Sequence, residues 1–137
     1  MNQDKTITIA LMDPPFEATR TTTIMRTIDA ALRRGFNINV FAYEGAVCIP
    51  FRHQQAHANA VHGRDIEEED HPLPREWVAG LMRLAEERKL SFTWINCGLC
   101  VDERGVGEAI DGVARGTPAD LWKMATSSIN TLVVPTA

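Results

Sequence analysis

Hydrophobic and polar positions in the early part of the chain predict a strand, a helix and a second strand. Apolar residues alternate with smaller or polar ones between Ile7 and Met12, which is typical of a strand, and Pro14 cannot continue it. From about Ala18 to Arg34 the apolar residues recur every three or four positions, which predicts an amphipathic helix. An apolar run from Phe36 to Tyr43 predicts the next strand, and this order favours a right-handed parallel crossover.

The rest of the chain continues the alternation of helices and strands after one long interruption. Residues 44–74 carry all four histidines and an acidic run without a regular pattern, which predicts a long loop or lid. Residues 101–116 have no clear pattern either. Elsewhere the sequence predicts a helix from Pro74 to Lys89, a strand from Ser91 to Asn96, a helix from Thr117 to Ser127 and a strand from Thr131 to Pro135. This order predicts an α/β fold: a single domain over residues 1–137 with an open, mostly parallel, doubly wound sheet in a flavodoxin- or Rossmann-like three-layer arrangement.

Composition and charge narrow the classes of function. The chain has 137 residues, 14 Lys plus Arg against 18 Asp plus Glu, and a formal net charge of −4. Because nucleic-acid binding needs a basic face to neutralise phosphates, we expect no nucleic-acid partner. The longest apolar runs are far shorter than the roughly 20 residues that span a bilayer, and the first residues do not resemble a secretory signal. We therefore expect a cytoplasmic protein without a membrane partner.

Two of the three cysteines stand where reactive groups occur in this kind of sheet. Cys97 directly follows a predicted strand, and Cys100 lies three residues further on. The carboxyl ends of parallel strands carry the functional loops of doubly wound folds. A helix that begins at Gly98 would stabilise a thiolate on Cys97 through its free N–H groups, and Arg104 in the same region would add positive charge. We therefore predict a reactive thiol at Cys97.

In the segment from Cys97 to Val106, the cysteine precedes the pair Arg104–Gly105. This segment resembles the one in DsrE and TusD proteins where the sulfur-carrying cysteine precedes an Arg-Gly pair. The resemblance extends over most of the chain. It includes the opening strand with Pro14-Pro15-Phe16, the helix end Ala30 to Gly35, the strand Asn39 to Gly45, and the closing helix and strand between Gly116 and Pro135.

The resemblance to the DsrE/TusD family implies a sulfur-relay function. The chain would be a sulfur carrier or sulfurtransferase that accepts sulfane sulfur as a persulfide on Cys97 and passes it to a partner protein. The partners implied are sulfur-donor and sulfur-acceptor proteins, no cofactor is needed, and the assembly implied is a homotrimer or homohexamer. Trp77, Trp94 and Trp122 are predicted in the core or at a subunit interface.

Cys100 departs from the family pattern, which has small apolar residues there, and three interpretations stay open. It could resolve a Cys97 persulfide by forming an internal disulfide and releasing sulfide, it could hold a trisulfide, or it could be a buried core residue. Another class of function is also open, since Cys97 and Cys100 could act together as a dithiol–disulfide oxidoreductase.

Cys48 and the histidines supply two further candidates. Cys48 follows the second predicted strand, so it is a candidate second sulfur site or a buried thiol. His53 and His57 are four residues apart and would share one face of a helix. With Cys48 they are weak candidates for a zinc or copper site in a metal-binding regulatory module. Because loop histidines are more often solvated, we expect no bound metal.

Overall fold

A computed structural model describes residues 5–17, 19–55 and 72–136 of the chain. The strands are β1 (Thr6–Leu11), β2 (Asn37–Ala42), β3 (Phe92–Cys97), β4 (Val113–Gly116) and β5 (Asn130–Val134). The α-helices are α1 (Arg20–Arg33), α2 (Pro74–Glu87), α3 (Gly98–Glu103) and α4 (Pro118–Thr126), and a 3₁₀ helix covers Glu44–Cys48.

The five strands form one parallel sheet in the order β4-β3-β2-β1-β5. Alternate residues of β2 face opposite sides: Val40 packs in a core with apolar residues of α1 and α2, and Phe41 packs in a second core with residues of α3 and α4. Helices therefore cover both faces of the sheet, and the α/β doubly wound prediction is confirmed.

The segment left without a pattern, residues 101–116, contains the second half of α3 and all of β4. β4 is only four residues long and lies at the edge of the sheet, and its Ala114 and Arg115 are exposed. A short edge strand with exposed side chains has no hydrophobic alternation to predict it. The sheet thus has one strand more than the sequence pattern predicted.

The start of the predicted long loop is ordered and partly buried. The 3₁₀ helix Glu44–Cys48 buries Ala46 and Val47, and Ile49 after it is fully buried. Phe51 then forms an isolated bridge with Ala109. Most of the histidine-rich and acidic part of this segment, including His57, lies outside the described residues.

The corner between β4 and α4 is fixed by a local sequence signal. Thr117 donates its backbone N–H to Asp120 at 2.8 Å, the two residues form a capping box, and Pro118 occupies the first turn of α4. Thr117 is the N-cap and Pro118 the first residue of the helix, as predicted. This corner matters because Gly116, the last residue of β4, pairs with Cys97 in the parallel register.

The three tryptophans differ widely in burial. Trp94 is fully buried and Trp77 packs partly against the same core, whereas Trp122 on α4 is 73% exposed. Trp122 is therefore not a core residue of this chain. Within the described ranges, no helix is long and apolar enough to cross a bilayer.

Candidate functional site

Cys97 lies at the carboxyl end of β3 and is also the N-cap residue of α3. Its backbone is still extended there, and α3 begins at Gly98, which is the helix start that the expected thiolate stabilisation requires. The neighbouring Asn96 donates its side-chain amide to the Val47 carbonyl at 3.3 Å and accepts the indole N–H of Trp94 at 3.0 Å. These bonds tie the end of β3 to the 3₁₀ helix and hold the backbone at Cys97 in place.

Cys100 lies one helical turn beyond Cys97, and both cysteines are buried in the core under α3 and α4. The Cys100 Sγ accepts the backbone N–H of Glu44 at 3.2 Å. Burial raises the pKa of the Cys100 thiol, the N–H of Glu44 lowers it, and a hydrogen bond with the side chain of Cys97 raises it again. The two cysteines thus pack in the same cluster one helical turn apart, and Cys100 favours its protonated form.

The guanidinium beside Cys97 is that of Arg115, which sequence reasoning did not single out. Arg115 extends from β4 and donates to the Gly98 carbonyl at 3.1 Å and to the Asp102 carboxylate at 3.0 Å. Its pKa is raised chiefly by the bond to Asp102 and, by a smaller amount, by the charge of Cys97. The arginine and the thiol therefore interact across the end of the sheet.

Gly98 makes room for this arginine. A Cβ at Gly98 would lie 3.0 Å from Nη2 of Arg115 and 3.3 Å from its Nε. These distances are shorter than ordinary van der Waals contact, so a larger residue would push the guanidinium away. Gly98, predicted as part of the thiolate environment, therefore contributes by its lack of a side chain.

Cys97 and Arg115 line a surface cavity of about 440 Å³. Its walls come from the first turn of α3 and from the corner between β4 and α4: Cys97, Gly98, Leu99, Asp102, Arg115, Gly116, Thr117 and Pro118. Leu99 is 71% exposed, so an apolar side chain stands beside the thiol. Cys100, which is about as buried as Cys97, is not among the residues that line this cavity.

Arg104, predicted to stand beside Cys97, instead lies with Cys48. It donates to the Glu44 carboxylate at 2.9 Å at the far end of α3. Arg104, Glu44 and Cys48 line a separate cavity of about 470 Å³ together with Met12, Pro14, Glu17, Gly45 and Thr136. The six-residue helix α3 separates Arg104 from Cys97, which is the physical reason for the difference.

The Cys48 thiol is half-buried and has mixed electrostatic surroundings. Burial raises its pKa, Arg104 lowers it and Glu17 raises it. Cys48 also packs against the core that contains Cys97 and Cys100. The three thiols therefore surround one apolar cluster, and two different cavities reach them.

Two of the three predicted metal ligands, Cys48 and His53, lie among the described residues. His53 is exposed, and its ring meets the Phe51 ring edge-on with 5.9 Å between the ring centroids. His57 lies outside the described residues. Among residues 5–17, 19–55 and 72–136, no group of three or more His, Cys, Asp and Glu side chains is placed to hold a metal ion.

Comparisons with known proteins support the fold. No protein-family model and no curated protein matches the chain. Among solved structures, the YchN protein from E. coli is similar with a TM-score of 0.70 and 18% sequence identity, and the match covers 96% of this chain and 99% of that one. A conserved protein of unknown function from Bacteroides thetaiotaomicron is similar with a TM-score of 0.56 and 13% identity, over 95% of each chain. At these identities, the likeness to both proteins shows a shared α/β fold.

Proposed function

We propose that this chain is a sulfur carrier that accepts sulfane sulfur on Cys97 as a persulfide and passes it to a partner protein. One observation carries the proposal: the Cys97 thiol lines a cavity at the carboxyl end of the sheet, with the Arg115 guanidinium in the same cavity. A thiolate beside a fixed positive charge is the arrangement that thiol nucleophiles use.

The chemistry of transfer needs only thiols. The Cys97 thiolate attacks the outer sulfur of a donor persulfide, a new S–S bond forms at Cys97, and the donor leaves as a thiolate. An acceptor thiolate then attacks the outer sulfur on Cys97, and the Cys97 thiolate leaves. The positive charge of Arg115 stabilises the thiolate or persulfide anion that Cys97 carries at each stage. No cofactor takes part in either step.

Two further observations favour sulfur relay over other uses of a reactive thiol. The segment from Cys97 to Gly105 resembles the sulfur-binding segment of DsrE and TusD proteins. The fold shared with YchN is compatible with such a role, although at 18% identity the likeness concerns the fold alone. The cytoplasmic location expected from the sequence belongs to the same proposal.

A carrier of this kind requires docking surfaces for donor and acceptor proteins. The resemblance to the DsrE/TusD family also implies that the chain assembles as a homotrimer or homohexamer. Large apolar side chains are exposed on α4 and on β5, which is an edge strand: Trp122 is 73% and Val133 is 61% exposed. Exposed aromatic residues of this size are typical of interfaces. We therefore propose α4 and β5 as the face on which copies of the chain associate.

The experiment that tests the carrier function is sulfur loading. Reduced protein is incubated with inorganic polysulfide or with a persulfide donor, desalted, and digested for peptide mass measurement. We expect the Cys97 peptide to gain the mass of one sulfur atom, and Cys97→Ser to lose this gain while Cys48→Ser keeps it. Unmodified Cys97 with every donor would contradict the proposal.

The packing of Cys97 and Cys100 in one cluster, one helical turn apart, favours one other candidate, a dithiol–disulfide oxidoreductase. The variant Cys100→Ser separates the two functions. A carrier still loads sulfur on Cys97 in this variant, whereas an oxidoreductase that depends on both thiols loses its cycle.

A further inference from the structure

The two adjacent thiols have different access to the cavity. Cys97 is part of the cavity wall, whereas Cys100 lies behind it, against the backbone of Glu44. A sulfur atom added to Cys97 from the cavity side would therefore point outward, and Cys97 itself would remain beside Cys100 in the cluster that both residues share. This places one thiol to receive sulfur and the second to attack from behind.

We propose that Cys100 is a resolving thiol, which converts the persulfide on Cys97 into a Cys97–Cys100 disulfide and releases hydrogen sulfide when no acceptor takes the sulfur. The proposal rests on the carrier function of Cys97 proposed above. It gives the site a second outcome, in which sulfane sulfur is reduced rather than transferred.

The reaction balances without an external oxidant. The Cys100 thiolate attacks the inner sulfur, the Sγ of Cys97; an S–S bond forms between the two cysteines, and the bond to the outer sulfur breaks. The outer sulfur leaves as hydrosulfide with the electron pair of that bond and is reduced, while the Cys100 sulfur is oxidised. The Cys97 sulfur exchanges one S–S bond for another. A dithiol reductant must then restore both thiols before the next cycle.

The surroundings of Cys100 favour its protonated form, which should slow this reaction and allow transfer to compete. Cys100 reacts only as a thiolate, and burial raises its pKa, as do the Cys97 thiol and the Glu44 carboxylate; the Glu44 N–H acts in the opposite direction. Among the described residues, the titratable side chains of Tyr43 and Cys48 also pack against this cluster. Release should therefore be slow at neutral pH and should accelerate as pH rises.

The test follows a loaded protein in the absence of any acceptor. Wild type, Cys100→Ser and Cys100→Ala are loaded with inorganic polysulfide, desalted under anaerobic conditions, and sampled for free sulfide and for intact and peptide mass. Two substitutions are used because Ser can still accept the Glu44 N–H and Ala cannot. Circular dichroism establishes that each variant is folded.

In the wild type we expect the added sulfur to leave Cys97, with one sulfide released per disulfide formed between Cys97 and Cys100. In both Cys100 variants the sulfur should remain on Cys97, and the rate of sulfide release should fall at least about tenfold. Cys48→Ser is the matched control, because it removes the third thiol of the chain. It should still form the Cys97–Cys100 disulfide.

The outcomes separate the two proposals. Equal sulfide release from wild type and both Cys100 variants, with sulfur loaded on Cys97 in each, would overturn the resolving role and leave the carrier function intact. Loss of sulfide release in Cys48→Ser would also overturn it, by assigning resolution to Cys48. Failure of every form to load Cys97 would overturn the carrier function and this inference with it.

Discussion

The arginine beside Cys97 allows a direct test of how the site activates its thiol. Replacing Arg115 by Gln removes the guanidinium charge but keeps a polar side chain on β4. We expect Arg115→Gln to slow alkylation of Cys97, because the positive charge that attracts the thiolate is gone. Arg104→Gln is the matched control, since it removes the same charge from the cavity that contains Cys48.

The exposure of the charges sets the size of the effect. In their ion pair, the side chains of Arg115 and Asp102 are 57% and 64% exposed, so solvent screens both of them. Interactions of such exposed charges are weak, which corresponds to a slowing of about two- to fivefold rather than a loss of reactivity. For the same reason Arg115→Gln should change Tm by no more than roughly 4 °C.

The assay is the rate of Cys97 alkylation by iodoacetamide, measured by peptide mass so that the three cysteines are followed separately. Iodoacetamide is uncharged, so salt acts only on the interaction within the protein. The Debye length falls from about 10 Å at 0.1 M salt to about 3 Å at 1 M, and the difference between wild type and Arg115→Gln should shrink accordingly.

Two results would refute this reasoning. Equal alkylation rates for wild type and Arg115→Gln at low salt would mean that the guanidinium does not act on the thiol. A larger fall in the Cys97 alkylation rate in Arg104→Gln than in Arg115→Gln would mean that Arg104, the arginine predicted from the sequence, acts on the thiol.

Further substitutions test the geometry and the assembly. Gly98→Ala should leave Tm unchanged or slightly higher but slow Cys97 alkylation as Arg115→Gln does, because its Cβ would lie 3.0 Å from the Arg115 guanidinium; alkylation at the wild-type rate would contradict this. Gly116→Ala should lower the free energy of unfolding by roughly 1–3 kcal/mol in urea titrations, since its Cβ would lie 2.5 Å from a carboxylate oxygen of α4 and 2.6 Å from a methyl group of β3. Burial raises the pKa of Cys48 in the folded state, so folding stability should fall as pH rises above the thiol's ordinary value of about 8.5; urea midpoints at neutral and alkaline pH should show a smaller fall in Cys48→Ser. Trp122→Ser should dissociate the assembly in sedimentation velocity without changing the far-ultraviolet circular dichroism, and a wild type that is already monomeric would contradict the proposed interface.

The hydrophobic pattern predicted the helices and strands that bury apolar side chains. β2 is buried at every position, and α1 has an apolar stripe against the sheet, so both were predicted within one or two residues of their ends. β4 was not predicted, because its four residues are held by pairing with β3 and by the capped start of α4 rather than by apolar side chains. Short edge strands of this kind depend on tertiary contacts that sequence periodicity does not contain.

The candidate site was predictable where it is local in sequence. A strand from Ser91 to Asn96 was predicted, and the structure has β3 ending at Cys97. A helix start at Gly98 was only a condition for a stabilised thiolate, and α3 begins there. Arg115 was missed because the register between β3 and β4, rather than closeness in sequence, brings it to Cys97. Arg104 is nearer in sequence, but α3 directs it toward Glu44. Knowledge of β4 would have identified Arg115, since that strand ends beside Cys97.

The position of β1 between β2 and β5 has a consequence for synthesis of the chain on the ribosome. β1 pairs with β2 soon after both are made, but Ile7 on its other side pairs with Asn130, which is added more than a hundred residues later. Until then one edge of a buried, apolar strand has no partner, and exposed edges of this kind recruit other strands. Thr8 adds to this dependence, since its hydroxyl donates to the Met124 carbonyl and shares a hydrogen bond with Ser128. The nascent chain therefore carries its greatest risk of aggregation before α4 and β5 emerge, and chaperone binding to β1 is most valuable during that interval.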